Sequence, residues 1–245
     1  MNDQDQPASS SPVCLITGGS SGIGLATAKC FAANGYRLAI CGRDANKLDA
    51  AESEIKAAVA EGTVSVFSMS VDLADTNKAV DFVNAAADHF GRVDVLVNNA
   101  ALAPLMPFDE VTESSFEAIT NVNLRSVFYL TQAAWKQMKQ QKVGVIVNVS
   151  SMAAVGPFPG FSLYGASKAW IELLTQALAS EGTDHGIRLY AIRPGAVETP
   201  LLRGLFPDFP AEQCVSSDTI AQQILKCVDD PENYTSGDVI PMTNQ

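Results

Sequence analysis

Basic residues and metal ligands are scarce in this sequence. Among its 245 residues, Lys and Arg number 16 against 27 Asp and Glu, which gives a formal net charge of −11. Neutralising a phosphate backbone requires a basic face, so this charge argues against nucleic acid as a partner. A small anionic ligand is compatible with it, because one arginine and a helix N-terminus can bind a phosphate on an acidic protein. The two histidines, His89 and His185, belong to no metal-ligand pattern, and we predict no metal site.

Paired cysteines and long apolar runs are also missing. The five cysteines are an odd number, widely spaced and without a C-x-x-C pair, so we expect reduced thiols and a cytoplasmic protein. No apolar run approaches the roughly 20 residues of a membrane helix, and no membrane association is expected. Residues 1–11 are polar and have neither the cationic start nor the apolar stretch of a signal peptide. We expect a disordered tail there and one domain over residues 12–245.

Short apolar runs alternate with longer Ala-rich segments along the rest of the chain. The runs predict strands at residues 13–16, 37–41, 64–69, 93–97, 145–149 and 187–192, with a last one near Val239. Several runs are almost continuously apolar, as in parallel strands that are covered on both faces. The segments between them have helical patterns that end at a glycine. This alternation predicts an α/β fold, namely a Rossmann-type, doubly wound parallel sheet in three layers.

A glycine-rich turn follows the first predicted strand. Residues 17–24 read T-G-G-S-S-G-I-G and lead directly into a helix. Glycines at Gly18, Gly22 and Gly24 permit a tight turn, a close backbone approach to a pyrophosphate and close helix–strand packing. The amides and dipole at the helix N-terminus then favour a diphosphate, which predicts a dinucleotide site.

The end of the second predicted strand distinguishes NADP from NAD. An acidic residue there would bind the ribose 2′-hydroxyl, whereas this chain has Arg43, which can hold a 2′-phosphate in a charge-assisted contact. Asp44 is the competing candidate for the ribose, but we interpret it as the N-cap of the next helix. The residues therefore favour NADP, in the form NADPH, over NAD.

Three polar residues are spaced so that they could take part in proton transfer to a substrate. Tyr164 and Lys168 are four residues apart in a predicted helix, which puts the phenol and the ammonium on one face. Tyrosine has a pKa near 10, and a nearby ammonium favours the phenolate. We therefore expect Lys168 to lower the pKa of Tyr164 and to make it a general acid and base. Ser151 follows the fifth predicted strand, where its hydroxyl can hydrogen-bond a substrate carbonyl oxygen.

These motifs, with N-N-A at residues 98–100 and P-G at residues 194–195, resemble those of the short-chain dehydrogenase/reductase superfamily in its short single-domain branch. The resemblance runs from Val13 to about Val239. It implies four catalytic residues, which are Asn123, Ser151, Tyr164 and Lys168. The predicted cofactor-binding residues are Thr17, Gly18, Ser20, Ser21, Gly22, Ile23, Gly24, Arg43, Asp72, Leu73, Asn99, Ala100, Tyr164, Lys168, Pro194, Gly195, Val197 and Thr199.

The resemblance implies hydride transfer between NADP(H) and a carbonyl or alcohol substrate. Tyr164 would exchange the proton with the substrate oxygen, Lys168 would also bind the nicotinamide ribose, and Asn123 would support a water that links Lys168 to solvent. It further implies a homodimer or homotetramer formed through long helices near residues 112–141 and 164–180. Two departures stand out: Ala101 replaces the glycine of N-N-A-G, and the C-terminus lacks the D-G-G of many relatives.

The substrate is the open question. Residues 195–217 are rich in proline and apolar residues without periodicity, and they are either a mobile substrate lid, with Phe206 and Phe209 as its apolar wall, or an ordinary surface excursion. Two other functions compete with a general carbonyl reductase. One is a 3-oxoacyl-[acyl-carrier-protein] reductase-like enzyme; the other is a catalytically inactive dinucleotide-sensing protein, which would need none of the proton chemistry.

Overall fold

A parallel β-sheet forms the centre of the fold. The computed structural model describes residues 11–59, 64–156 and 158–244. Within them the strands are β1 (Val13–Thr17), β2 (Arg37–Gly42), β3 (Val66–Ser70), β4 (Val95–Asn98), β5 (Gly144–Val149), β6 (Ile187–Pro194) and β7 (Val239–Met242). Their order in the sheet is β3-β2-β1-β4-β5-β6-β7, and every neighbouring pair is parallel. The predicted doubly wound sheet is confirmed.

Helices connect the strands and cover both faces of the sheet. They are α1 (Gly22–Ala33), α2 (Ala45–Ala57), α3 (Thr76–Phe90), α4 (Glu113–Ile119), α5 (Ser126–Gln141), α6 (Ser162–Gly182), α7 (Pro200–Leu205) and α8 (Ser217–Asp229). Phe31 of α1 and Ile224 of α8 belong to one apolar cluster, and Phe82 of α3 and Leu130 of α5 belong to another. The sheet therefore lies between two helical layers, as predicted, and has a core on each side.

Strand β1 shows why the apolar runs are continuous. Cys14 and Ile16 point into one core, Val13 and Leu15 point into the other, and all four side chains are fully buried. A strand covered on both faces has no polar positions to alternate with apolar ones. None of the described helices is both long and apolar enough to cross a membrane.

Two sequence predictions concern chain segments that the structure describes only in part. The tail expected at residues 1–11 lies outside the described residues except for Ser11. The helical pattern at residues 46–62 predicts a helix that ends at Gly62, whereas helix α2 ends at Ala57, with Ala58 as its C-cap. Residues 60–63 lie outside the described residues.

The strand order places a crevice at the middle of the sheet, beyond the carboxyl ends of β1 and β4. The connections run from β1 outward to β2 and β3, and then return to β4 on the other side of β1. The loops after β1 and β4 consequently leave the sheet in opposite directions. Ligands of open α/β sheets bind at this kind of switch point, beyond the carboxyl ends of the strands.

Candidate active site

A cleft of about 940 Å³ opens at the carboxyl edge of the sheet. It extends from the glycine-rich turn after β1 to the loop after β6, and it includes the start of α6. All the predicted cofactor and catalytic residues line it except Thr17, Gly24 and Asn123. Thr17 and Asn123 bond to residues that line the cleft, and Gly24 packs against Gly18 within the turn.

The glycine-rich turn uses its glycines for different purposes. Gly18 and Gly22 have φ angles of +66° and +53°, in the left-handed region where a side chain is strained. At Gly24 the constraint is space, because a Cβ atom there would lie 2.2 Å from the Gly18 carbonyl oxygen. Helix α1 begins at Gly22, and the Ser21 side chain makes no capping hydrogen bond with it. The turn thus presents backbone amides and a helix N-terminus to the cleft, which suits a diphosphate.

Thr17 fixes the turn to the end of β4. Its hydroxyl oxygen accepts hydrogen bonds from the backbone amides of Asn99 and Ala100, both at 3.0 Å. The Asn99 side-chain amide returns a hydrogen bond of 2.9 Å to the Thr17 carbonyl oxygen. The two loops that leave the switch point are therefore bound to each other before they reach the cleft.

Two exposed cations follow β2, one directly after the strand and the other in the first turn of α2. Arg43 and Lys47 both line the cleft, and sequence reasoning missed Lys47 as a site residue. Asp44 caps helix α2, because its carboxylate accepts a hydrogen bond of 3.2 Å from the Lys47 backbone amide. This confirms the N-cap interpretation of Asp44. Asp72, after β3, also lines the cleft, and its carboxylate accepts a 3.0 Å hydrogen bond from the Ala74 amide.

Tyr164 and Lys168 lie on successive turns of α6 and face the cleft together. The Lys168 ammonium is 5.6 Å from the centre of the Tyr164 ring. It donates a 2.7 Å hydrogen bond to the Val149 carbonyl oxygen at the end of β5, and the lysine is only 2% exposed. The hydroxyl groups of Ser151 and Tyr164 interact with each other. The Ser151 hydroxyl oxygen also accepts a 3.1 Å hydrogen bond from the Ala153 amide.

The structure corrects the expected pKa of Tyr164. Burial raises this pKa above its ordinary value of 10, and the Ser151 hydroxyl lowers it by a smaller amount. The predicted decrease in the pKa of Tyr164 is therefore wrong, because burial outweighs the group that lowers it. Burial also lowers the pKa of Lys168, to about 8, since the protein interior disfavours its charged form.

Asn123 occupies a break in the long helix predicted for residues 112–141. Helices α4 and α5 are joined by a π-helical segment, Thr120–Arg125. The buried Asn123 amide exchanges two 2.8 Å hydrogen bonds with the backbone of Leu102 and donates one of 3.0 Å to the Ser167 hydroxyl. Ser167 in turn donates to the Tyr164 carbonyl oxygen at 2.7 Å. Asn123 therefore connects the loop after β4 with the helix that carries Tyr164.

A polar cluster behind the cleft was missed by sequence reasoning. The Glu172 carboxylate accepts hydrogen bonds from the Ser150 hydroxyl at 2.7 Å and from the Arg193 guanidinium at 2.8 and 2.7 Å. Ser150 also donates to the Lys168 carbonyl oxygen at 3.3 Å. A detectable signal was present, because Glu172 follows Lys168 by four residues and so shares its face of the helix.

The segment at residues 195–217 forms the far wall of the cleft. It contains α7, whose first turn is capped by the Thr199 hydroxyl through a 3.2 Å hydrogen bond from the Leu202 amide. Phe206 and Phe209 both line the cleft, as expected for an apolar wall. The ring centres of Phe206 and Phe161 are 6.1 Å apart with an edge-to-face angle of 89°, so this wall reaches the start of α6.

The sequence matches a known protein family over most of its length. Residues 12–209 match the family model of the short chain dehydrogenases. The chain belongs to the short-chain dehydrogenase family. It is 35% identical over 237 residues to a 3-oxoacyl-[acyl-carrier-protein] reductase of Thermotoga maritima, and the match covers 93% of this chain and 94% of that protein.

Solved structures of short-chain dehydrogenases have the same fold. A 3-ketoacyl-(acyl-carrier-protein) reductase from Brucella melitensis, complexed with NADH, is 30% identical, with a TM-score of 0.85 and coverage of 95% of this chain and 97% of that one. A short chain dehydrogenase from Burkholderia cenocepacia, in complex with NADP, has the same identity and TM-score and coverage of 95% and 96%. This chain is thus an oxidoreductase of a family that uses NAD or NADP and acts on carbonyl or alcohol groups.

Proposed function

We propose that this protein is an NADP(H)-dependent carbonyl reductase or alcohol dehydrogenase in which Tyr164 is the general acid and base. The observation that carries the proposal is the meeting of Ser151, Tyr164 and Lys168 in the same cleft as the glycine-rich turn. A protein that only binds a dinucleotide would need the turn and would have no use for this cluster. The catalytic roles of these residues, and that of Asn123, are part of the proposal.

The cleft fits a dinucleotide along its length. A side chain at Gly18 or Gly22 would be strained, and its Cβ atom would press against Ala100 or Thr199, so glycine at these positions keeps the turn in a shape that lets its backbone approach a pyrophosphate. We assign the diphosphate to the turn at residues 17–24, the adenine end to Asp72 and Leu73, and the nicotinamide end to the residues near Lys168 and Thr199. When bound, the nicotinamide cofactor supplies or accepts the hydride.

Side chains of the protein carry out the proton transfer. In the reducing direction, Tyr164 donates its hydroxyl proton to the substrate oxygen while the Ser151 hydroxyl donates a hydrogen bond to the same oxygen. The raised pKa keeps Tyr164 protonated at neutral pH, which is the form that this step needs. Alcohol oxidation needs the phenolate instead, so its rate should increase as the pH rises toward the pKa of Tyr164.

The preference for NADP over NAD rests on charge at the end of β2. Arg43 and Lys47 are exposed cations at one end of the cleft, and the nearby carboxylate of Asp44 is engaged in capping α2. Two cations favour a 2′-phosphate, whereas a free carboxylate would have favoured an unmodified ribose.

The substitution Tyr164→Phe tests the catalytic assignment. It removes only the hydroxyl, so NADPH should bind as before while kcat for ketone reduction falls on the order of 1,000-fold. Tyr129→Phe is the matched control, because Tyr129 lies on α5 and does not line the cleft. Near-normal turnover by Tyr164→Phe would refute the assignment. Cofactor binding by the wild-type protein without turnover of any carbonyl or alcohol would favour the dinucleotide sensor.

A second candidate is a 3-oxoacyl-[acyl-carrier-protein] reductase. It is favoured by the 35% identity to the Thermotoga maritima protein of that name. A comparison of kcat/KM for an acetoacetyl thioester and for simple ketones distinguishes the two. We prefer the simple ketone, because the acidic chain offers no clear basic patch for an acidic carrier protein.

The proposal includes self-association in a reducing compartment. Phe116 on α4, Phe128 on α5 and Leu173 on α6 are 52%, 40% and 67% exposed, on the helices expected to pair in a homodimer or homotetramer. Light scattering should therefore report at least a dimer, and a stable monomer would contradict this. All five cysteines are free thiols, which is consistent with the proposed cytoplasmic location.

A further inference from the structure

Aromatic side chains surround the proposed reacting groups. Phe161 lies 5.2 Å from Tyr164, 6.2 Å from Phe158 and 6.1 Å from Phe206, measured between ring centres. It therefore joins the start of α6 to the wall formed after β6. The other residues that line this end of the cleft include Leu102, Met152, Leu202, Leu205 and Phe209. Tyr164 and Ser151 thus present their hydroxyls beside a wall of apolar side chains.

The charged side chains among the described residues of the cleft either lie far from Ser151 and Tyr164 or have a role toward the cofactor. Arg43, Lys47 and Asp72 follow β2 and β3, and β2 is separated from β5, which leads to Ser151, by three strand intervals. At about 4.8 Å per interval, this distance is roughly 14 Å. Among the described residues of the lining, Lys168 is the charged group next to Tyr164. It donates one hydrogen bond to the Val149 carbonyl oxygen, and in the proposed function its other donors bind the nicotinamide ribose and are not left for a substrate carboxylate.

Arg203 is the cation of the wall after β6, and its donors are engaged. Its guanidinium pairs with Glu198 and donates to the carbonyl oxygens of Pro207, at 3.0 Å, and Phe209, at 2.6 Å. These bonds hold α7 to the chain that follows it. A substrate carboxylate beside Phe206 would therefore have no unpaired cation among residues 195–217 to bind.

We infer that the substrate of this site is a neutral, apolar ketone that carries an aryl or alicyclic ring, or the corresponding alcohol. The inference rests on the proposed function and adds the substrate class to it. An unpaired carboxylate placed against this wall binds less tightly, because it loses its water and gains no partner. A ring gains from edge-to-face contacts with Phe161 and Phe206. The carbonyl oxygen of such a substrate is its one polar atom, and the hydroxyls of Ser151 and Tyr164 are the donors that bind it.

The test measures binding apart from catalysis. The wild-type protein carrying NADP⁺ is titrated by calorimetry with 4′-methylacetophenone and with 4-acetylbenzoate, which have the same aryl ketone and differ in a methyl or a carboxylate. A ketone cannot be reduced by NADP⁺, so failure of the catalytic proposal would not affect this result. We expect the neutral ketone to bind on the order of 100-fold more tightly. Equal or tighter binding of the carboxylate, or no saturable binding of either, would overturn the inference.

Matched variants locate the binding in the cleft. Phe206→Ala should weaken binding of the neutral ketone by about 3- to 10-fold, whereas Phe108→Ala should not, because Phe108 is 81% exposed and does not line the cleft. Leu205→Arg adds a cation to the wall and should reverse part of the preference in favour of 4-acetylbenzoate. Equal effects of the two Phe→Ala changes, or an unchanged preference in Leu205→Arg, would place the ketone elsewhere and overturn the inference.

Discussion

Glu172 and Arg193 form a two-bonded ion pair between helix α6 and strand β6. The Arg193 Nε and Nη2 atoms donate to the two carboxylate oxygens at 2.8 and 2.7 Å, and the side chains are 21% (Arg193) and 10% (Glu172) exposed. Arg193 directly precedes Pro194, from which the chain enters the apolar wall of the cleft. The pair therefore ties the helix of Tyr164 to the beginning of that wall.

Breaking this pair should destabilise the protein. Glu172→Gln keeps the size of the side chain but leaves the Arg193 cation mostly buried without an anion. A fully buried pair costs more when it is broken, and with the partial exposure here we expect a loss of about 2 kcal/mol in the free energy of unfolding, measured with urea. The control is Glu54→Gln in the exposed Lys29–Glu54 pair, which should change it by no more than about 0.5 kcal/mol. Equal losses in the two variants would contradict the prediction.

Gly24 should tolerate no side chain. In Gly24→Ala the new Cβ would meet the Gly18 carbonyl oxygen, so the turn has to move. We expect NADPH affinity, measured by fluorescence titration, to fall at least about tenfold, and stability to fall by about 1–3 kcal/mol. Gly204→Ala is the control, because a Cβ at this position in α7 has no neighbour within 4 Å and alanine favours a helix. Unchanged NADPH binding by Gly24→Ala would show that the close packing is not required.

Lys168 should make stability depend on pH in alkaline solution. Its pKa is lowered to about 8 in the folded protein from an ordinary 10.5, so between these values the unfolded chain binds more protons. Stability from this group therefore rises with pH over that interval, by up to about 3 kcal/mol. Lys168→Met has no group that titrates at this position. Between pH 8 and pH 10.5, the free energy of unfolding of the wild type should therefore increase relative to that of Lys168→Met. Parallel curves for the two proteins would contradict the lowered pKa.

The features that the sequence predicted correctly are local ones. Strand β1 and the turn at residues 17–24 could be predicted because buried parallel strands are continuously apolar and the turn needs glycine at adjacent positions. Tyr164 and Lys168 share a helical face through their spacing alone. The Asp44 cap is likewise decided by a contact three residues away.

The features that it missed depend on distant partners. Asn123 bonds to Leu102 and Ser167, which are 21 and 44 residues away, so no periodicity revealed the π-helical break that places it. The spacing places Lys168 beside Tyr164, but it contains no information about the burial that raises the pKa of Tyr164. Burial depends on how α6 packs against other parts of the chain, and this requires the tertiary structure.

Arg43 should determine the choice between the two cofactors. In Arg43→Ala the 2′-phosphate of NADPH would lose a charge-assisted contact, so we expect kcat/KM for NADPH to fall about 10- to 100-fold. NADH has no such phosphate, and its kcat/KM should change less than about threefold. Arg125→Ala is the matched control, since Arg125 is also exposed but does not line the cleft. A wild-type protein that prefers NADH, or equal losses with both cofactors in Arg43→Ala, would mean that Arg43 holds something other than the 2′-phosphate.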